Sequence, residues 1–99
     1  MIVTVGRYDT ANGSKYLQQL CKHFAHKVTV DYNAEKGTVE FPMGKAFMRA
    51  DETGLTIRIE LDTEDAEPMA HNVIDRHLER FAFREPVKVM TWTREISAP

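Results

Sequence analysis

Residues 55–61, "LTIRIEL", alternate without a break, with Leu55, Ile57, Ile59 and Leu61 on one side and Thr56, Arg58 and Glu60 on the other. A period of two buries one face of a strand and wets the other. The same strand chemistry, β-branched and apolar, marks residues 2–8, 28–32, 38–41 and 46–50. "NAEKG", "FPMG" and "DETG" separate the four middle runs and carry the Gly, Pro, Asn or Asp that short turns require. Between the first two runs, "DTANGS" is a turn in which Ser14 or Asn12 can cap a helix over "KYLQQLCKHFAHK", residues 15–27. A second helical period covers residues 65–83, with Pro68 tolerable because it falls in the first turn. A closing strand spans 87–93. The order β-α-β-β-β-β-α-β predicts an α+β fold, a largely antiparallel sheet with two helices packed on one face. Strand order does not follow from this pattern.

Helical spacing sorts the chemistry. In the first helix Leu17, Leu20, Cys21, Phe24 and Val28 share one arc, which faces the core, while Tyr16, Gln19, His23 and His26 form a stripe on the flank and polar side. The apparent cluster "CKHFAHK" therefore separates: Cys21 lies about 160° from His23 around the helix. Two outward imidazoles, His23 and His26, fall short of a zinc ligand set and are weak metal candidates beside a plain surface role. In the second helix Ala66, Met69, Ala70, Val73, Ile74, Leu78 and Phe81 make the apolar arc, with His77 near its centre. Cys21 and His77 thus both point toward the sheet, either as a buried thiol and a hydrogen-bonded core histidine or as a nucleophile and base. Arg76, Arg80 and Arg84, spaced by four, offer guanidinium forks to a carboxylate or phosphate, or else pair with Glu79 and Glu85. On the last strand Lys88, Met90 and Trp92 share a side, which would put a large aromatic on the open sheet face.

The 99 residues fit one domain, spanning 1–99, with no repeat, linker or low-complexity stretch. A net charge of −2 argues against nucleic acid as the main partner and leaves room for a local basic patch. No apolar run spans a bilayer and the start lacks a signal peptide's pattern, so the expected compartment is the cytoplasm, in keeping with a single cysteine. Phosphate loop, dinucleotide glycines, paired Cys-x-x-Cys, His-Glu-x-x-His and nucleophile elbow are all missing, and no cofactor is expected.

The stretches "YLQQLCKHFAHKV" and "RHLERFAFRE", with "GTVEFPMG" and "VMTW", resemble the bacterial family called domain of unknown function 2218 from about residue 14 to 92. Its signatures correspond to residues 20–27 and 77–85. Some relatives are joined to, or encoded beside, siderophore-interacting flavoproteins, so the resemblance implies an accessory role in iron acquisition. The leading expectation is a non-enzymatic binding module whose His23, His26, Arg76, Arg80, Arg84 and Trp92 meet an anionic iron chelate or a reductase partner. The alternatives are a small enzyme using Cys21 and His77, and a homodimer through the open sheet face around Trp92.

Overall fold

The computed structural model describes residues 2–87 and 89–95. Strand β1 (Ile2–Asp9) leads into helix α1 (Gly13–Phe24), and a meander follows: β2 (Thr29–Tyr32), β3 (Lys36–Phe41), β4 (Gly44–Asp51) and β5 (Gly54–Leu61). A single 3-10 turn, Glu64–Ala66, precedes α2 (Glu67–Phe81), and β6 (Thr91–Glu95) closes the chain. The expected order of elements holds. All neighbouring strands are antiparallel, in the order β2-β3-β4-β5-β1-β6.

That order follows from polarity. β5 carries the strict alternation and takes an interior place, with Leu55, Ile57, Ile59 and Leu61 all at 0% exposure. β1 pairs with it because "IVTVGRYD" is apolar on both sides: Val3, Thr4 and Tyr8 are all buried although they point alternately up and down. The two edges are the shortest and most polar strands, TVDY and TWTRE, which limits edge-to-edge pairing. Both helices lie on one face. Leu17, Leu20 and Cys21 of α1 and Ile74 and Leu78 of α2 reach 0% exposure there. Close approach of α1 requires Gly37, since a Cβ at that position would sit 2.7 Å from Cys21 Sγ.

Of the boundaries that differ from expectation, three have a clear local reason. The first helix stops at Phe24 and not at residue 27, because the Lys27 and Val28 N–H groups both turn back to the Phe24 carbonyl at 3.0 Å and aim the chain into β2. The second stops at Phe81, where Ala82, fully buried, leaves the helix and accepts from the Glu85 N–H. Pro68 does fall in its first turn. The closing strand starts only at Thr91. Before it, Asp75 captures the Met90 N–H at 2.9 Å and Tyr8 Oη donates to the Val87 carbonyl, which ties the described residues 82–87, 89 and 90, none of them in a helix or strand, to α2 and β1. Within the expected strand, Lys88 lies outside the described residues.

Candidate functional site

Two helices laid side by side on one sheet face are separated by about 8–10 Å, so the flanks between them must touch. The α1 flank is the stripe Tyr16, Gln19 and His23. Tyr16 is buried, and Gln19 Oε1 is shut from solvent with no hydrogen-bond partner among the described residues. His23, one turn on, meets His77 of α2 with ring centroids 4.5 Å apart and planes tilted by 50°. Phe24 lies 5.0 Å edge-on from His77, and Phe81 lies 6.3 Å from His23. This refines the expected arrangement. Tyr16 is buried and Gln19 half-buried while His23 and His26 stay exposed, and the half-buried His77 lies beside the buried arc of Ala70, Ile74 and Leu78, not at its centre. Met69, assigned to the apolar arc, is exposed.

The paired rings stand at two adjoining cavities. One, of about 250 Å³, is lined by His23, Phe24, Lys27, Val28, Phe41, Val73 and His77. The other, of about 260 Å³, is lined by Asn72, Val73, Arg76, His77 and Arg80. Val73 and His77 belong to both, so the two form one cleft with an apolar end and a cationic end. His77 Nδ1–H donates to the Val73 carbonyl at 2.6 Å, which fixes the ring and leaves Nε2 as its other polar atom. Burial lowers the His23 pKa, and His77, His26, Arg80 and Lys27 push it further down. Among the described residues every charge acting on His23 there is positive, and no Asp or Glu lines the cleft. Such a field favours an incoming anion.

Of the six expected members, His26, Arg84 and Trp92 drop out. His26 falls beyond the end of α1, in the turn, and does not line the cleft. Arg84 falls beyond the end of α2, with its guanidinium 5.3 Å over the Phe83 ring. Both shared a stripe with the others only on a helix longer than the one that forms. The fold pairs His23 with His77, not with His26. Among the described residues no group of three or more His, Cys, Asp or Glu stands close enough to hold a metal ion. A metal at this imidazole pair would need further donors from the ligand.

Cys21 faces the sheet. Its thiol is fully buried, donates to Met48 Sδ at 3.7 Å and is pushed by burial up to about 11. His77 makes its hydrogen bond to Val73 instead, so the nucleophile-base pair is not assembled as a hydrogen bond. A neutral thiol enclosed in this way is a poor nucleophile. Modification of Cys21 by a thiol reagent at pH 7 is therefore expected to proceed only as fast as the protein unfolds. Burst labelling in the folded state would contradict that placement.

Trp92 also lies on the other side from the one expected. In β6 it pairs with Gly6, and its indole stacks on His71 of α2 with centroids 4.2 Å apart and planes at 11°. Trp92 Nε1–H donates to Asp75 Oδ2 at 3.0 Å. Met90 and Trp92 do share a side, but it is the helix-covered side, and Val87 and Val89 are the exposed residues. The homodimer expected around an open-face Trp92 loses its anchor. His71, which spacing did not single out, is the histidine most tightly integrated in the fold: its Nε2 is 2.7 Å from the buried Thr4 Oγ1 and 3.9 Å from Glu67. Its signal in the sequence was the i, i+4 run Glu67, His71, Asp75 on one α2 face, legible only once β6 is known to lie beneath it. No helix among the described residues is long and apolar enough to cross a membrane.

The family described as "Uncharacterized protein conserved in bacteria (DUF2218)" matches over residues 5–93. Among solved structures, the NMR structure of PA4090 from Pseudomonas aeruginosa matches with a TM-score of 0.76 at 24% identity, covering 94% of this chain and 96% of that one. At that identity the likeness carries the fold alone. A search of curated proteins gives no match. Since the family match runs over nearly the whole chain, this protein belongs to the bacterial family of domain of unknown function 2218.

Proposed function

We propose that the chain is a small, non-enzymatic, cytoplasmic binding module whose α1–α2 cleft receives a bulky organic anion. The observation that carries this reading is the convergence of His23, Lys27, Arg76, His77 and Arg80 on one cleft with no carboxylate in its lining. Its apolar end, built from Phe24, Phe41, Val28 and Val73, suits a flat or aromatic body, while the arginines and imidazoles suit anionic oxygens. A catecholate or hydroxamate complex of iron has that combination. An accessory role beside a siderophore-interacting reductase, implied by the family resemblance, would place such a chelate in this cleft for handover. The signature stretches at residues 20–27 and 77–85 supply His23, Phe24, Lys27, His77 and Arg80, which supports the cleft as the shared working surface.

Titration of ferric catecholate and hydroxamate complexes, followed by calorimetry and by the His23 ring protons in NMR, tests the proposal. A bound anion offsets the surrounding cations, so the His23 pKa is expected to rise from its lowered value toward about 6.5. Arg80→Ala is expected to weaken binding about tenfold, the loss of one charge-assisted contact. If no complex in the panel binds, or if binding leaves the His23 titration where it was, the cleft is not the site.

A further inference from the structure

The sheet face away from the helices carries a second basic concavity. Gly37 and Met48 point at Cys21 of α1, so their neighbours Lys36, Thr38, Phe47 and Arg49 point to the open side. Register then sets side chains in rows across the strands. One row reads Lys36, Arg49, Thr56, Arg7, and the next reads Thr38, Phe47, Arg58, Val5. Lys36, Thr38, Phe47, Arg49, Thr56 and Arg58 line a concavity of about 440 Å³ on this face.

The cations in these rows differ in their surroundings. Arg58 is clamped by Glu60 at 2.6 Å and Glu95 at 3.3 Å, and Arg7 is tied to Asp9 at 3.0 Å. Lys36 and Arg49 are direct cross-strand partners, and neither has a carboxylate within 4.0 Å among the described residues. Like charges directly opposite each other destabilise a strand pair. Here the pair flanks a half-buried phenyl ring and two threonine hydroxyls, Thr38 and Thr56. Fold stability gives no reason for that juxtaposition, whereas an anion between the two cations would relieve it.

We propose that this concavity is a binding site, separate from the helix cleft, for a small phosphate-bearing molecule with a planar ring. Lys36 and Arg49 hold the phosphate oxygens, Arg49 through its two-pronged guanidinium, and the ring lies on Phe47. Arg58, held in place by its two carboxylates, forms the fixed wall of the site.

The test is an amide NMR titration at low salt with three probes, AMP, adenosine and inorganic phosphate, each raised to about 10 mM to reach weak binding. AMP is expected to shift residues 36–38, 47–49 and 56–58 and to bind more tightly than either half alone. Arg49→Thr is expected to weaken AMP about tenfold. The same variant should keep or raise the melting temperature, because it removes the like-charge pair. A folded Arg49→Thr protein with unchanged AMP affinity would overturn the site. So would shifts confined to the α1–α2 cleft, or equal affinity for AMP and inorganic phosphate. Loss of chelate binding at the helix cleft would leave the outcome unaffected, since the two sites share no lining residue.

Discussion

Glu85→Ala is expected to lower folding stability by about 3 kcal/mol, by removing the acceptor that the buried Thr10 and Tyr16 hydroxyls share. Thr10 Oγ1 donates to Glu85 Oε2 at 2.8 Å, and the side chains of Tyr16, Asn12 and Tyr8 also face this carboxylate. Tyr16 and Thr10 are both buried, so deleting Glu85 strands their donors, while Tyr8 keeps the Val87 carbonyl. The cluster ties the loop after α2 to β1 and to the start of α1. Burial pushes the Glu85 carboxyl up, but hydrogen bonds led by those from Tyr16, Thr10 and Asn12 outweigh it and the net shift is downward. The complementary effect raises Tyr16 to about 12, through burial first and then Glu85. A carboxylate with a lowered folded pKa stabilises the fold above its unfolded value, near 4.3, and that contribution is lost as pH falls through the folded value. Urea melts of parent and variant should therefore differ widely at pH 7 and converge in acid. A gap that stays constant from pH 7 to about pH 3, below the unfolded carboxyl's range, would assign the effect to packing and not to the charge.

Trp92→Ala is expected to cost about 3 kcal/mol, in the range for deleting a packed aromatic. The indole covers Gly6 so closely that a Cβ there would stand 2.7 Å from Trp92 Cζ3, and it also stacks on His71 and donates to Asp75. Removing it opens the space between β6 and α2 and leaves Asp75 with only the Met90 N–H. Trp92→Phe keeps a stacking ring and loses the N–H donor, for about 1 kcal/mol. Thr93→Ala, one residue on and facing the open side, should stay within about 0.5 kcal/mol of the parent. Circular dichroism melts check the series. Equal small effects for Trp92→Ala and Thr93→Ala would put the indole on the open face after all. Burial lowers the His71 pKa against the pull of Glu67 and Asp75, so the neutral ring belongs to the native state. The stability His71 contributes is thus present above its unfolded value, about 6.5, and declines as pH falls below it toward the folded value. As the chain's single tryptophan, Trp92 should report that protonation as a fluorescence change below pH 6.5.

Local pattern determined the elements, their order and the fold class. Alternation in residues 55–61 and the arc Leu17, Leu20, Cys21, Phe24 are properties of a strand and a helix by themselves, and burial followed them closely. Met90 and Trp92 do turn inward together while Val87 and Val89 stay exposed, although the strand itself begins only at Thr91. Which side of the sheet the pair faced was not legible, because a strand's period of two names two faces without saying which one the helices cover. Only pairing of β6 with β1, Gly6 against Trp92, turned the indole toward α2. The helix flanks carry the same ambiguity. Tyr16 and Gln19 are polar enough to pass for surface on a wheel drawn for one helix, and His77 apolar enough in its surroundings to pass for core, yet the first two turn inward and His77 is only half-buried. The exposed His23 meets His77 only across the seam between two helices, a feature neither helix possesses alone, and the cleft they share with Arg76 and Arg80 exists only there. The row of Lys36 and Arg49 is likewise invisible in the chain, where thirteen positions separate the two; cross-strand register alone makes them neighbours.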